Sequence, residues 1–133
     1  QEIVFEDFAP GQPRIVDYAA KWDPDATVYH TTPRRFGIER AEPVLAEQLA
    51  RISLEAWRAL GLSGYARVDF RTDTDGRPFV LEVNVNPAVA PDAGFAAAAQ
   101  EAGIAYDELI EMIVTGAIAP IGAGAASELK RHA

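Results

Sequence analysis

Gly64-Tyr65-Ala66-Arg67-Val68-Asp69-Phe70-Arg71 and Arg77-Pro78-Phe79-Val80-Leu81-Glu82-Val83-Asn84 flank an Asp75-Gly76 pair. Asp-Gly between two alternating segments is a strong short-range signal for a β-hairpin closed by a two-residue type I′ turn. Such a turn sets Asp69 opposite Glu82 and Arg67 opposite Asn84. One face of the ribbon then carries Arg67, Asp69, Glu82 and Asn84. The other carries Ala66, Val68, Phe70, Leu81, Val83 and Val85 and reads as a core face. Two carboxylates directly opposed on neighbouring strands have Cβ atoms about 4.5–5.5 Å apart, an unfavourable pairing on its own. Positive charge is expected between them.

A divalent cation would meet that need. Asp, Glu and an amide oxygen are hard oxygen donors, suited to Mg²⁺ or Mn²⁺ and not to zinc. Mg²⁺ commonly takes one or two carboxylates and fills its shell with water and substrate phosphates. Arg67, one register step away, would neutralise phosphoryl oxygens or a developing oxyanion, since its guanidinium stays charged and forks onto such groups. The same residues can also be read as an exposed polar hairpin face on which Arg67 screens the two acids. The spacing alone leaves both readings open.

The run Gly64-Tyr-Ala-Arg-Val-Asp-Phe70, followed by Asp75-Gly-Arg-Pro-Phe-Val-Leu-Glu-Val-Asn-Val-Asn-Pro87, resembles the C-terminal part of the ATP-grasp ligases. Within them it looks most like the D-alanine–D-alanine ligase branch. Upstream, Asp17-Tyr-Ala-Ala-Lys-Trp22 and Tyr29 are similar to that branch's Tyr-x-x-Lys-Tyr region, and downstream the likeness runs through Pro91-Asp-Ala-Gly-Phe95 to the last helices. The resemblance implies that Asp69 and Glu82 hold one Mg²⁺, with Glu82 and Asn84 holding a second, both ions bridging the phosphates of ATP. It implies that Arg67 and Lys21 are catalytic and, with Glu82, contact the nucleotide, Lys21 from a mobile loop closing over the γ-phosphate. The reaction implied is phosphorylation of a carboxylate by ATP and attack of an amine on the acyl phosphate to form an amide. Its physical logic is placement plus charge neutralisation.

Two departures bear on the substrate. Pro87-Ala88 stands where the family usually has Pro-Gly, whose glycine N–H serves the oxyanion site. Alanine keeps that N–H provided the position needs no positive φ. Asp92-Ala93-Gly94 stands where the dipeptide ligases place a serine for the second substrate's carboxylate, which opens the identity of the carboxylate–amine pair.

At 133 residues the chain has room for one domain, whereas the family's full enzyme adds an N-terminal substrate domain and a lysine-bearing central subdomain. The chain begins with Gln, which fits a fragment or a processed product. Half of an ATP-grasp cleft is expected to bind nucleotide weakly and to be inactive unless an upstream domain or a second chain completes it. The competing expectation is a non-catalytic remnant or interaction module that keeps the fold.

Apolar residues make up 49% of the chain without a long uninterrupted run, the composition of a soluble globular domain with neither transmembrane span nor signal peptide. A net charge of −8 argues against a nucleic-acid partner. The chain has no cysteine, which excludes disulfide and thiol chemistry and points to the cytoplasm. There is no Gly-x-Gly-x-x-Gly or Walker loop, and neither His30 nor His132 has the neighbours of a zinc site or a triad.

Along the chain, Glu2–Phe8 and Pro13–Tyr18 read as strands separated by a Pro10-Gly11 turn, and residues 23–40 as one long loop, either of the active-site-lid kind or disordered. A helix is expected from Glu42 to Leu60, with Val44, Leu45, Leu49, Ile52, Ala56, Trp57 and Leu60 at helical spacing and Gly61 just past its end. Asp92 is expected to cap an alanine-rich helix ending near Gly103, and Tyr106–Ile118 to form another helix around Leu109, Ile110, Ile113 and Val114, with Met112 packed in the same region. The expected architecture is α+β, an antiparallel sheet with helices packed on one face. It comprises a catalytic subdomain over 1–118 and a flexible tail over 119–133, with ATP, Mg²⁺ or Mn²⁺ and a small carboxylate–amine pair as ligands.

Overall fold

A computed structural model describes residues 1–118; the expected tail and His132 lie outside them. The elements are helices and short antiparallel strands, an α+β fold. The strands form two separate two-stranded antiparallel sheets. The described residues divide into two compact units, Gln1–Ala50 and the residues from Arg51 onward, and the boundary falls inside a long helix.

In the first unit, β1 (Glu2–Ile3) pairs with β2 (Arg34–Arg35), Glu2 opposite Arg35 and Ile3 opposite Arg34. The same antiparallel register continues where Val4 N–H donates to Pro33 O at 3.0 Å and Glu6 N–H to Thr31 O at 2.8 Å. The expected strand at Pro13–Tyr18 is not formed. A backbone bond from Gln12 N–H to Ala9 O closes the expected turn, but the chain then enters α1 (Tyr18–Trp22). Asp17 is the reason: its Oδ1 accepts the Ala20 N–H at 2.9 Å and caps the helix. The β-branched Ile15 and Val16 are outweighed by that local cap.

Nor is the stretch from 23 to 40 a single loop. It holds α2 (Thr27–His30), β2 and α3 (Ile38–Ala41). Thr32, almost fully buried, donates its hydroxyl to Val28 O at 2.8 Å and closes the end of α2. α1 and α2 pack together, and Ala20 is buried. His30 is exposed, with its Nε2 2.8 Å from Pro24 O and its ring edge-on to Tyr29, a local structural role.

α4 (Pro43–Ala59) matches the expected helix. Leu45, Leu49, Ile52, Ala56 and Trp57 are half-buried along one stripe, whereas Val44 and Leu60 are exposed. Its end is a Schellman closure, with Leu62 N–H bonding to Trp57 O and Gly61 N–H to Arg58 O.

The second unit holds the hairpin, β3 (Arg67–Thr72) and β4 (Pro78–Asn84). Its turn differs from the expected type I′. Asp73 N–H bonds to Arg77 O and Gly76 N–H to Asp73 O, so the loop has three residues. Gly76 has φ +76°, while Asp75 is not in the positive-φ region that a type I′ turn would demand of it. Asp73 selects this closure. Its Oδ1 accepts the Asp75 and Arg77 N–H groups, and its Oδ2 accepts from the Arg77 guanidinium. Those bonds, led by the Arg77 N–H, hold the Asp73 carboxyl below its ordinary pKa. A Cβ at Gly76 would meet nothing within 4 Å, so Gly76→Ala costs only the conformational term. It is expected to lower stability by about 1 kcal/mol in a urea titration.

α5 (Gly94–Glu101) starts with Ala93 at its cap position and no side-chain cap bond, so the capping role expected of Asp92 is not taken up. α5 packs on α6 (Tyr106–Ile118), where Leu109 is buried, Ile110 and Ile113 half-buried and Val114 exposed. Met112 is 55% exposed, outside the packing expected of it. The Tyr65 and Phe95 rings, with centroids 5.5 Å apart, tie the start of the hairpin to α5.

Candidate functional site

The hairpin ladder sets Arg67 opposite Asn84 and Asp69 opposite Glu82, as the sequence predicts. The agreement hides two offsets. The three-residue loop shifts the pairing by one residue, so Phe70 faces Val80 and Arg71 faces Phe79. A bulge between Asp69 and Phe70 on this ladder, with Leu81 as the extra residue on β4, shifts it back. The four polar residues all lie on the far side of the bulge from the turn. They therefore keep strict alternation and share one face.

The opposite face does not close as expected. Leu81 is 67% and Val85 58% exposed, while Ala66, Val68, Phe70 and Val83 are half-buried. The bulge turns Leu81 out of the alternation that would have placed it with them.

Arg67 grips Asp69 with both prongs of its guanidinium, Nε to Oδ1 at 2.8 Å and Nη2 to Oδ2 at 2.8 Å. The two side chains are 36% and 37% exposed. The hydrogen bond to Asp69 raises the Arg67 pKa above its ordinary value, partial burial opposes the rise, and the charges of Asp69 and Glu82 add to it. The cation required between the opposed carboxylates is thus supplied by the chain itself. An ion pair this accessible contributes at most about 1 kcal/mol to stability.

Asn84 is positioned by its own turn. Its Oδ1 accepts the Asn86 N–H at 2.9 Å, and the following Pro87 is less than 2% exposed. The amide plane is thereby fixed, with a second lone pair of Oδ1 remaining. The sequence reading quotes Asn86 and Pro87 within the motif but gives neither a part in holding Asn84. The Asn-x-Asn-Pro spacing carried the signal, since Asn readily hydrogen-bonds backbone two residues on. Ala88 does not have positive φ, so alanine meets no backbone strain there and its N–H is retained.

Lys21 sits in the last turn of α1 in the first unit, exposed, and not on the loop expected of it. The other four site residues belong to the second unit.

Asp69, Glu82 and Asn84 form a donor set of two carboxylates and an amide oxygen, which suits Mg²⁺ or Mn²⁺. No group of three or more His, Cys, Asp or Glu is gathered among the described residues. No helix among them is long and apolar enough to cross a membrane.

The fold is that of the C-terminal part of an ATP-grasp ligase. It superposes on the D-alanine–D-alanine ligase from Bacillus anthracis solved in complex with ATP, with a TM-score of 0.53 and 34% identity, covering 64% of this chain and 28% of that one. A second structure of the Bacillus anthracis ligase gives a TM-score of 0.53 at 35% identity. A family model described as D-ala D-ala ligase C-terminus matches residues 2–115, and the chain belongs to that family. The D-alanine–D-alanine ligase of Bordetella petrii is 35% identical over 114 residues, 86% of this chain and 32% of that protein. That of Nitrosomonas eutropha is 37% identical over 100 residues, 75% of this chain and 31% of that protein. The chain thus spans about a third of the length of the curated relatives it matches.

Proposed function

We propose that this chain supplies the metal- and phosphoryl-handling part of an ATP-dependent carboxylate–amine ligase. The observation that carries the reading is the shared face of Arg67, Asp69, Glu82 and Asn84, in a chain of the D-ala D-ala ligase C-terminus family. Asp69, Glu82 and Asn84 would hold Mg²⁺ or Mn²⁺. A bound ion would neutralise the phosphate oxygens of ATP. Arg67 offers its forked donors to the transferring phosphoryl group and to the oxyanion of the tetrahedral intermediate. The Ala88 N–H is a further donor for that oxyanion. The family resemblance gives Lys21 the role of a point charge for the γ-phosphate and acyl phosphate.

In the reaction, a carboxylate oxygen attacks the γ-phosphorus and ADP leaves. An amine nitrogen then attacks the acyl carbon, the bond from that carbon to the phosphate oxygen breaks, and the nitrogen gives up a proton as inorganic phosphate leaves and the amide forms. The segment Asp92-Ala93-Gly94, where the family resemblance places a serine for the second substrate's carboxylate, holds no serine. The acceptor amine is accordingly left open. The exposed Phe79, Leu81 and Val85 favour a cleft completed by further polypeptide, with little activity from this chain alone. A cytoplasmic setting accords with the absence of cysteine.

Calorimetric titration with Mg²⁺ and a non-hydrolysable ATP analogue tests the reading. Metal-dependent binding is expected, and the double variant Asp69→Asn/Glu82→Gln should lose it. A folded chain that binds neither metal nor analogue would remove the reading for this polypeptide.

A further inference from the structure

Both oxygens of Asp69 accept from one guanidinium, which takes one lone pair on each and sets a positive charge against the carboxylate. The Arg67 fork occupies Oδ1 and Oδ2 at 2.8 Å each, although Asp69 stands opposite Glu82 in the position of a cation ligand. A carboxylate that gives both oxygens to one guanidinium presents that guanidinium, and its positive charge, toward any approaching cation. Glu82 and Asn84 are not so engaged with Arg67: Asn84 Oδ1 accepts from Asn86, and Glu82 is exposed.

We propose that Arg67 is a placeholder for the divalent cation, and that the two exchange on Asp69. With no cation bound, the guanidinium neutralises the opposed carboxylates and keeps the hairpin face assembled. Cation binding at Asp69 displaces the fork, and the five N–H donors of Arg67 turn to phosphoryl oxygens. Release of Arg67 is therefore coupled to loading of the site, and the arginine is presented only after the carboxylates have been neutralised in another way. By linkage, a phosphoryl ligand that draws Arg67 off Asp69 tightens cation binding, and the cation tightens the phosphoryl ligand by the same factor. This inference rests on the metal-site reading above.

The test uses Mn²⁺ alone, with the full chain and its Arg67→Gln and Arg67→Lys variants, each checked for fold by circular dichroism. Arg67→Gln is expected to bind Mn²⁺ about tenfold tighter than the parent chain, equivalent to ~1.4 kcal/mol. Arg67→Lys keeps the charge but cannot fork onto both oxygens, and should also bind tighter, nearer to the Gln variant than to the parent. Equal affinity in the parent and Arg67→Gln would overturn the exchange while leaving the metal site in place. Equal affinity in the parent and Arg67→Lys would reduce it to long-range charge and overturn it too. No Mn²⁺ binding in any of the three would remove the metal-site reading together with the exchange.

A wild-type readout covers the case in which a variant fails to fold. The Arg67 Nε–H resonance should shift on Mg²⁺ titration toward the position of a solvated guanidinium. A resonance unmoved at saturating metal would overturn the proposal.

Discussion

Glu82→Gln is expected to weaken Mg²⁺-dependent binding of an ATP analogue by at least about 100-fold, while Arg71→Gln stays within about threefold. The scale follows from metal sites in which loss of an outer partner alone costs roughly 10–100-fold, so loss of a direct ligand should reach or exceed the top of that range. On the proposed reading Glu82 serves both ions and is one of two carboxylates in the donor set. Arg71 lies across the bulge from that set, opposite Phe79. Glutamine keeps the length of the side chain, so the comparison isolates its charge. Titration calorimetry at fixed nucleotide and varied Mg²⁺ reads the difference. Similar losses in both variants would show that a general field of the hairpin, and not ligation by Glu82, governs binding.

The second large effect concerns stability. Leu109→Ala should lower the free energy of unfolding by about 3 kcal/mol, within the usual range for truncating a buried leucine. Leu109 is 6% exposed, and in its unit the strongly buried side chains among the described residues are Pro87, Ala96 and Leu109. A core so thinly stocked loses a large fraction of its apolar contact with one truncation. Met112→Ala, at an exposed position of the same helix, should stay within about 0.5 kcal/mol. Urea titrations of the three proteins give the comparison. A shift below about 1 kcal/mol for Leu109→Ala would mean that α5 and α6 do not rely on that contact.

The hairpin pairing was legible because alternation and an Asp-Gly pair each point to a tight antiparallel connection. The turn type was not, because Asp-Gly serves two-residue and three-residue loops alike. What decided it was the Asp73 carboxylate, which captures the Asp75 and Arg77 N–H groups. The bulge left no mark either, since Phe79-Val80-Leu81 is uniformly apolar and a break in alternation cannot be seen inside such a run. The helices at 43–59 and 106–118 were readable from apolar spacing, the first also from the glycine that follows it. The N-terminal unit was read least well. The partner of β1 lies some thirty residues along the chain, and nothing in Glu2-Ile3 names Arg34-Arg35 as its match. Arg67, Asp69, Glu82 and Asn84 were found as a set because strand alternation alone places them together. Grouping Lys21 with them came from family resemblance and from no spacing in the chain.

The loop and the bulge have a consequence for how such a hairpin can change length over descent. Twelve residues separate Asp69 from Glu82, and their number matters through its parity more than its size. A strand shifted by one residue presents its other face. A single insertion or deletion in the turn would therefore point Glu82 and Asn84 away from Arg67 and Asp69, unless a second irregularity restores the count. This chain holds such a pair, a lengthened turn and an extra Leu81, each the correction of the other. The tip of such a ribbon can thus change in steps of two, or in compensated steps of one, while the four polar side chains at its base keep their shared face.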